Sequence, residues 1–171
     1  SEDEEIKEAL KEWRDEVRRL EEKIRRVLEK WERDVRRLKE EIKKSNEDLR
    51  RRLEEKGVPE EVRERIKERS ERDKKKVKED EEEVRRRKRE IEEHLERDKR
   101  RVEKLIDDLR KRRDDVEEVK KRLKRLIEEN RKNVKRLEER IREAVKKNEK
   151  SVEDSERENR DIARELDEKR K

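Results

Sequence analysis

Trp13-Arg-Asp-Glu-Val17-Arg-Arg-Leu20-Glu-Glu-Lys-Ile24 is followed, 18 residues on, by Trp31-Glu-Arg-Asp-Val35-Arg-Arg-Leu38-Lys-Glu-Glu-Ile42. Eighteen residues are five turns of an α-helix at ~3.6 residues per turn, so an apolar stripe with this period stays on one side of a straight helix. A seven-residue period would instead impose a left-handed supercoil. The stripe begins before the quoted stretch: apolar residues stand at 6, 9, 10, 13, 17 and 20, and again at 24, 27, 28, 31, 35 and 38. A third pass keeps Ile42, Leu49 and Leu53 but places Ser45 and Asn46 where Ala9/Val27 and Leu10/Leu28 stood.

The rest of the chain is written in the same manner. Of 171 residues, 69% are Asp, Glu, Lys or Arg and 23% are apolar, against roughly 25% and 45–50% in ordinary domains. A disordered polyampholyte and a set of long helices with one narrow stripe each would both fit that mixture. The regular placement of the few apolar residues decides for helices. There is no cysteine, hence no disulfide or thiol chemistry. No apolar run approaches the ~18 residues of a membrane span. The net charge of +6 and the pI near 9.3 are spread without a basic tail, so nucleic-acid binding would rest on the pI alone.

Gly57 and Pro59 are the only residues of their kinds. Basic residues Arg50, Arg51, Arg52 and Lys56 precede them, as suits a helix C-terminus. A glycine just past the end and a proline in the next first turn mark a helix boundary, which gives a first helix over about 2–56, opened by a Ser1/Glu4 capping box. The second boundary lacks both residues. Pro59-Glu-Glu-Val62-Arg-Glu-Arg-Ile66 and Val116-Glu-Glu-Val119-Lys-Lys-Arg-Leu123 are similar octets 57 residues apart, and Asp3-Glu-Glu-Ile6-Lys-Glu-Ala-Leu10 resembles both. Arg112-Arg113 before Asp114-Asp115 reads as a basic helix end followed by an N-cap, with Glu118 at capping-box distance from Asp115. The spacing places helix 2 at about 59–112 and helix 3 at about 116–169. One unbroken helix from 59 to 170 is the rival, but it would leave half its stripe uncovered.

Loops this short join antiparallel neighbours. The expected fold is therefore all-α: one domain over 1–171, a straight, untwisted, antiparallel up-down-up bundle of three helices of about 54 residues each. In that topology residue n of helix 1 should be level with about 111 − n in helix 2 and n + 117 in helix 3. Trp13 then meets Asp98 and Asn130, Trp31 meets Asp80 and Asn148, and Leu49 meets Val62 and Leu166. A buried indole N–H needs an acceptor, which Asp or Asn supplies, so the first two levels read as polar layers. A further polar level gathers Ser45, Asn46, Ser70, Ser155 and Asn159. Lys88 interrupts the helix 2 seam and is expected to snorkel to water.

Catalytic and metal chemistry have little to stand on. His94 is the only histidine. With Asp98 one turn on it suggests a His–carboxylate pair and not a zinc site, which needs three or four ligands. Acidic residues abound, but without a pocket to desolvate one of a pair their pKa values have no reason to separate. One glycine excludes a Gly-rich phosphate loop. The densest basic run, Arg85-Arg86-Arg87-Lys88-Arg89, is flanked by glutamates and lacks an aromatic to stack on a base.

Equal capped helices, an 18-residue repeat, a surface saturated with Arg, Lys and Glu, and Leu/Ile/Val seams resemble computationally designed, parametrically generated helical bundles. The resemblance covers the whole chain and is one of style, without a sequence signature. The polar levels are similar to the buried hydrogen-bond networks built into such bundles to specify pairing. The second turn departs from that style, since it lacks the glycine such designs favour. The resemblance implies a scaffold with no catalytic residue, no metal, no cofactor, no required partner and no membrane association. No natural location is expected, only a soluble protein in the cytoplasm of an expression host. The alternative is a binding or assembly component whose polar levels specify a partner helix or self-association.

Overall fold

The computed structural model describes residues 2–55, 57–111 and 115–170, with side chains from 3 to 168 within those ranges. Three helices make up nearly all of it: α1 Glu2–Arg52, α2 Glu60–Arg110 and α3 Val116–Arg170. They form an all-α three-helix bundle, with no strand among the described residues. Ser1, Lys56, Arg112, Arg113 and Asp114, on which parts of the capping assignments fall, lie outside the described residues.

The first turn is tighter than expected. α1 stops at Arg52 instead of 56, because the N–H groups of Leu53, Glu54 and Glu55 donate to the carbonyls of Arg50, Arg51 and Arg52 at 2.9, 3.3 and 3.2 Å. These three-residue bonds satisfy the last free carbonyls of the helix. Gly57 then turns the chain at φ 84°, a left-handed conformation that glycine adopts without a Cβ penalty. Pro59 stands just before α2, not in its first turn. Its carbonyl accepts from Val62 and Arg63 at 3.1 and 3.2 Å, so it holds the N-cap position, where a missing N–H costs nothing. The second break falls where the octets placed it. Asp115 is the N-cap of α3, its carbonyl accepting from Val119 at 3.1 Å.

The chain divides into two compact units, Ser1–Glu29 with Arg85–Arg140, and Lys30–Val84 with Ile141–Lys171. Each unit takes a stretch of all three helices. In the first, Trp13 and Val17 of α1 pack with Val102, Leu105 and Leu109 of α2 and Val116, Val119 and Leu123 of α3. In the second, Leu49, Val62, Ile66, Ile162 and Leu166 form one aliphatic cluster, which contains the expected Leu49/Val62/Leu166 level.

Ion pairs give the register. In the first unit Glu5–Lys120, Glu16–Arg131 and Lys23–Glu138 all pair α1 with α3 at a separation of 115 residues, close to the 117 expected. The separation holds steady from Glu5 to Lys23, as it does for parallel helices of equal rise per residue. Bonded α1–α2 pairs depart further. Asn46 with Asp73 gives a sum of 119, and Lys39 with Glu81 and Glu21 with Lys99 give 120, against 111 for level residues. Side chains lean toward the N-terminus of their own helix, so in an antiparallel pair they lean in opposite directions and meet residues further along. Parallel α1 and α3 lean together, and no such offset arises.

Candidate functional site

The most organised polar feature is a closed ring of side chains in the second unit, drawn from all three helices. It sits next to the Leu49/Ile162 cluster, where the third pass of the repeat substitutes Ser45 and Asn46 for aliphatics. Its centre is Arg69 of α2, only 6% exposed. Arg69 Nη1 donates to Asn159 Oδ1 at 2.5 Å, and Nη2 donates to Ser155 Oγ at 2.9 Å and to the Ser155 carbonyl at 2.8 Å. Nε pairs with Glu158 at 2.7 Å, a carboxylate that remains in water. All three guanidinium nitrogens are thus engaged.

Two arms run from Arg69 to Asp73, one turn further along the same helix. In the first, Asn159 Nδ2 donates to Asn46 Oδ1 at 3.0 Å and Asn46 Nδ2 donates to Asp73 Oδ2 at 2.9 Å. In the second, the Ser155 hydroxyl donates to the same Asp73 oxygen at 3.0 Å. Asn159 Nδ2 also donates to Ser45 Oγ at 2.7 Å. A guanidinium can only donate and a carboxylate can only accept. Both asparagine amides are therefore fixed in one orientation, and every dipole in both arms points from cation to anion. Bonds aligned in this way polarise one another. Ser70 is buried at the same level without a hydrogen bond to the ring, among the described residues.

The ring brings together Ser45, Asn46, Ser155 and Asn159. It also contains Arg69 and Asp73, neither of which was expected at this level; Arg69 is hidden in the sequence as one of 62 basic residues. A signal was available: 62, 66, 69 and 73 follow the four-three spacing of a seam, and Arg69 occupies one of its slots.

The two tryptophan layers are not hydrogen-bonded. Trp13, Asp98 and Asn130 are all buried, and so is Trp31, but neither indole Nε1 has a hydrogen-bond partner among the described residues. The lean of the side chains explains the miss at Trp31. Trp31 leans toward the start of α1, while Asp80 leans toward the start of α2, the opposite way. Asp80 and Asn148 line a small cavity of about 30 Å³ with Leu38, Ile42, Asp73 and Ser151, beyond Trp31 along α1. Burial there pushes the Asp80 carboxyl above its ordinary value. Lys76 opposes the shift, and Glu83 and Glu79 add to it.

In the first unit His94 Nε2 lies 3.4 Å from Asp98 Oδ2 and 3.4 Å from Asn133 Nδ2. The approach to Asp98 lacks hydrogen-bond geometry, so Asp98 Oδ2 is buried and unsatisfied there. Lys88 is exposed, as expected of a side chain that snorkels to water. No three acidic, cysteine or histidine residues converge on a metal-sized site among the described residues. No helix among them is long and apolar enough to cross a membrane.

Two open grooves flank the ring. Ser45, Leu49, Arg52 and Asn159 line one of about 660 Å³ between α1 and α3, and Ile42, Asn46, Ser70 and Asp73 line one of about 590 Å³ between α1 and α2. Within the ring Arg69 and Asp73 are joined through the neutral side chains between them, and no histidine belongs to the ring to serve as a base for Ser155. The arrangement is suited to holding three helices in one register. Compared with known protein families, curated proteins and solved structures, the chain matches none.

Proposed function

We propose that the chain is a structural scaffold of the de novo designed kind, without a natural biochemical activity, in which the polar ring selects helix pairing and height. The observation that carries this reading is the ring itself: five side chains from three helices close on one another with every amide orientation determined. Shifting one helix by a turn would leave the buried guanidinium of Arg69 or the half-buried carboxylate of Asp73 unpaired, which is unfavourable. Aliphatic layers discriminate far less between neighbouring registers. The 18-residue repeat supports the same reading, because it writes one solution twice along the first helix before the third pass brings in Ser45 and Asn46. The test replaces Arg69, Asp73, Asn46 and Asn159 together by leucine. On this reading the variant keeps its helicity and loses uniqueness, seen as broadened amide NMR signals or a mixture of masses in light scattering. A sharp spectrum and an unchanged single mass near 21.6 kDa would remove the specificity role.

One observation favours a second reading, an assembly component. Asn46, Ser70 and Asp73 also line the α1/α2 groove, so one side of the polar level faces an opening that a partner helix or second copy could cover. A parent mass of twice 21.6 kDa at micromolar concentration would select it.

A further inference from the structure

We propose that the groove between α2 and α3 in the first unit binds a linear aliphatic anion of the fatty-acid class. The groove has a cause in the sequence. Between Val84 and Ile91 the α2 seam carries no aliphatic residue, and Arg87 and Lys88 occupy the intervening turn. Lys88 points to water and Arg87 is drawn toward Glu90, its Nη1 3.2 Å from the carboxylate. One wall of the core is therefore missing, and Leu20 and Ile24 of α1, with Ile91 of α2 and Leu137 of α3, line an opening of about 260 Å³. This lies just below the range of ~300–1,000 Å³ usual for small-molecule pockets.

Shape and charge select the occupant. Among the described residues no large hydrophobic side chain is exposed, so the apolar walls sit below the rim, where a slender chain reaches them and the broad face of a helix does not. The rim is cationic: Arg87, Arg136 and Arg140 all line the opening, against the single carboxylate of Glu90, which Arg87 already engages. Arg136 and Arg140 stand one turn apart on α3 and enter no ion pair among the described residues. Guanidinium groups hold a carboxylate through paired N–H donors. Asn133 lines the opening nearer the start of α3, about 10 Å from Arg140 at ~1.5 Å per residue, and His94 of α2 lies 3.4 Å from it. An anionic head between the arginines and an alkyl tail over Leu20, Ile24 and Leu137 fill the groove.

The experiment titrates the intact 171-residue chain with decanoate, decanol and decylamine, each below the concentration at which it forms micelles. Calorimetry reads affinity and stoichiometry, and NMR reads the ring of His94, the one imidazole in the chain. One decanoate should bind per chain, at least tenfold tighter than decylamine, with a shift of the His94 ring signals. The double variant Arg136→Glu/Arg140→Glu should reverse that preference. Arg87→Leu supplies the missing wall, so it should lose decanoate and decanol alike by tenfold or more while melting no lower than the parent. Equal affinity for acid and amine would overturn the proposal. So would several ligands per chain, a silent His94, or unchanged decanol binding in Arg87→Leu. A His94 signal that moves with protein concentration alone would also overturn it, by making a second copy the occupant.

Discussion

Arg69 is the one buried cation among the described residues, and its environment makes it the most sensitive position in the second unit. Arg69→Leu leaves Asn159 and Ser155 without their donor in a site that water reaches poorly, and removes the cation at the far end of both arms from Asp73. Orphaning a buried acceptor costs about 1–3 kcal/mol, to be read from urea denaturation at neutral pH. Replacing Arg69 and all its partners by aliphatics together should cost far less, because the loss comes from orphaned groups more than from the missing bonds. Asn130→Leu tests the opposite case. No hydrogen bond links Trp13 to Asn130, so the substitution orphans no indole and adds buried apolar surface. It should be neutral or stabilise by up to ~1 kcal/mol in the same measurement. Asp80 carries a pH dependence. Burial, joined by Glu83 and Glu79, raises its pKa in the folded chain, so the folded state takes up the proton first as the pH falls. The ionised carboxyl is thus a cost at neutral pH that disappears on acidification through the raised folded pKa. Asp80→Asn should raise the melting temperature at pH 7 by a degree or two, since the group is half in water and the effect is screened. The gain should vanish once the pH is below the ordinary carboxylate range, and a gain that grew on acidification would contradict the assignment. Which residues share a polar level was partly legible in the chain, through Ser45, Asn46, Ser155 and Asn159. Arg69 was not, because in so charged a sequence a buried arginine looks like a solvated one.

At the scale of the elements, the helices and their breaks follow from local chemistry that the sequence displays. Gly57 at φ 84° and the acidic first turns of α2 and α3 do most of it. The four-residue error at the end of α1 has a plain cause: bonds to the third residue back can tighten the last turn of a helix without any special residue. Gly57→Ala should cost about 1–2 kcal/mol, all of it conformational. No atom lies within 4 Å of the position a Cβ would take, so steric relief by a neighbour cannot reduce the cost. Thermal unfolding measures this, and Gly57→Asn should recover part of the loss because asparagine tolerates the left-handed region better than alanine. The height of one helix against another was legible for Leu49, Val62 and Leu166, whose side chains fill space around a common level. It misled for Trp31 and Asp80, where a hydrogen bond depends on where two side-chain tips point, and tips in antiparallel helices diverge.

For the molecule as a whole, the contents of the two units set where opening begins. The first unit holds Trp13, Val17, Val102, Leu105, Leu109, Val116, Val119 and Leu123 in one cluster, with Ile6, Leu10, Ile106, Leu126 and Ile127 packed against it. The second holds the smaller cluster of Leu49, Val62, Ile66, Ile162 and Leu166, supported by Leu53 and Val58, and beside it the polar ring. Burying a large aliphatic side chain is worth about 1.5–3 kcal/mol, while a net hydrogen bond contributes nearer ~1 and one to a charged group ~1.5–3. The ring therefore makes up part of the difference without closing it, the more so because ordering Arg69 costs side-chain entropy that a valine does not lose. Native-state hydrogen exchange should find amides around 10–20, 98–109 and 119–130 slower than those around 45–53, 66–74 and 152–165. Arg69→Leu separates the two contributions. It should speed exchange at 45–53, 66–74 and 152–165 and leave the first set at its parent rates, because the ring and its partners all belong to the second unit. Equal protection of both sets in the parent would mean that the aligned ring is worth as much as the aliphatics it replaces. Faster exchange in the first set would point instead to Asp98 Oδ2 and Trp13 Nε1, two of the buried atoms there without a hydrogen-bond partner, as the weak point of the bundle.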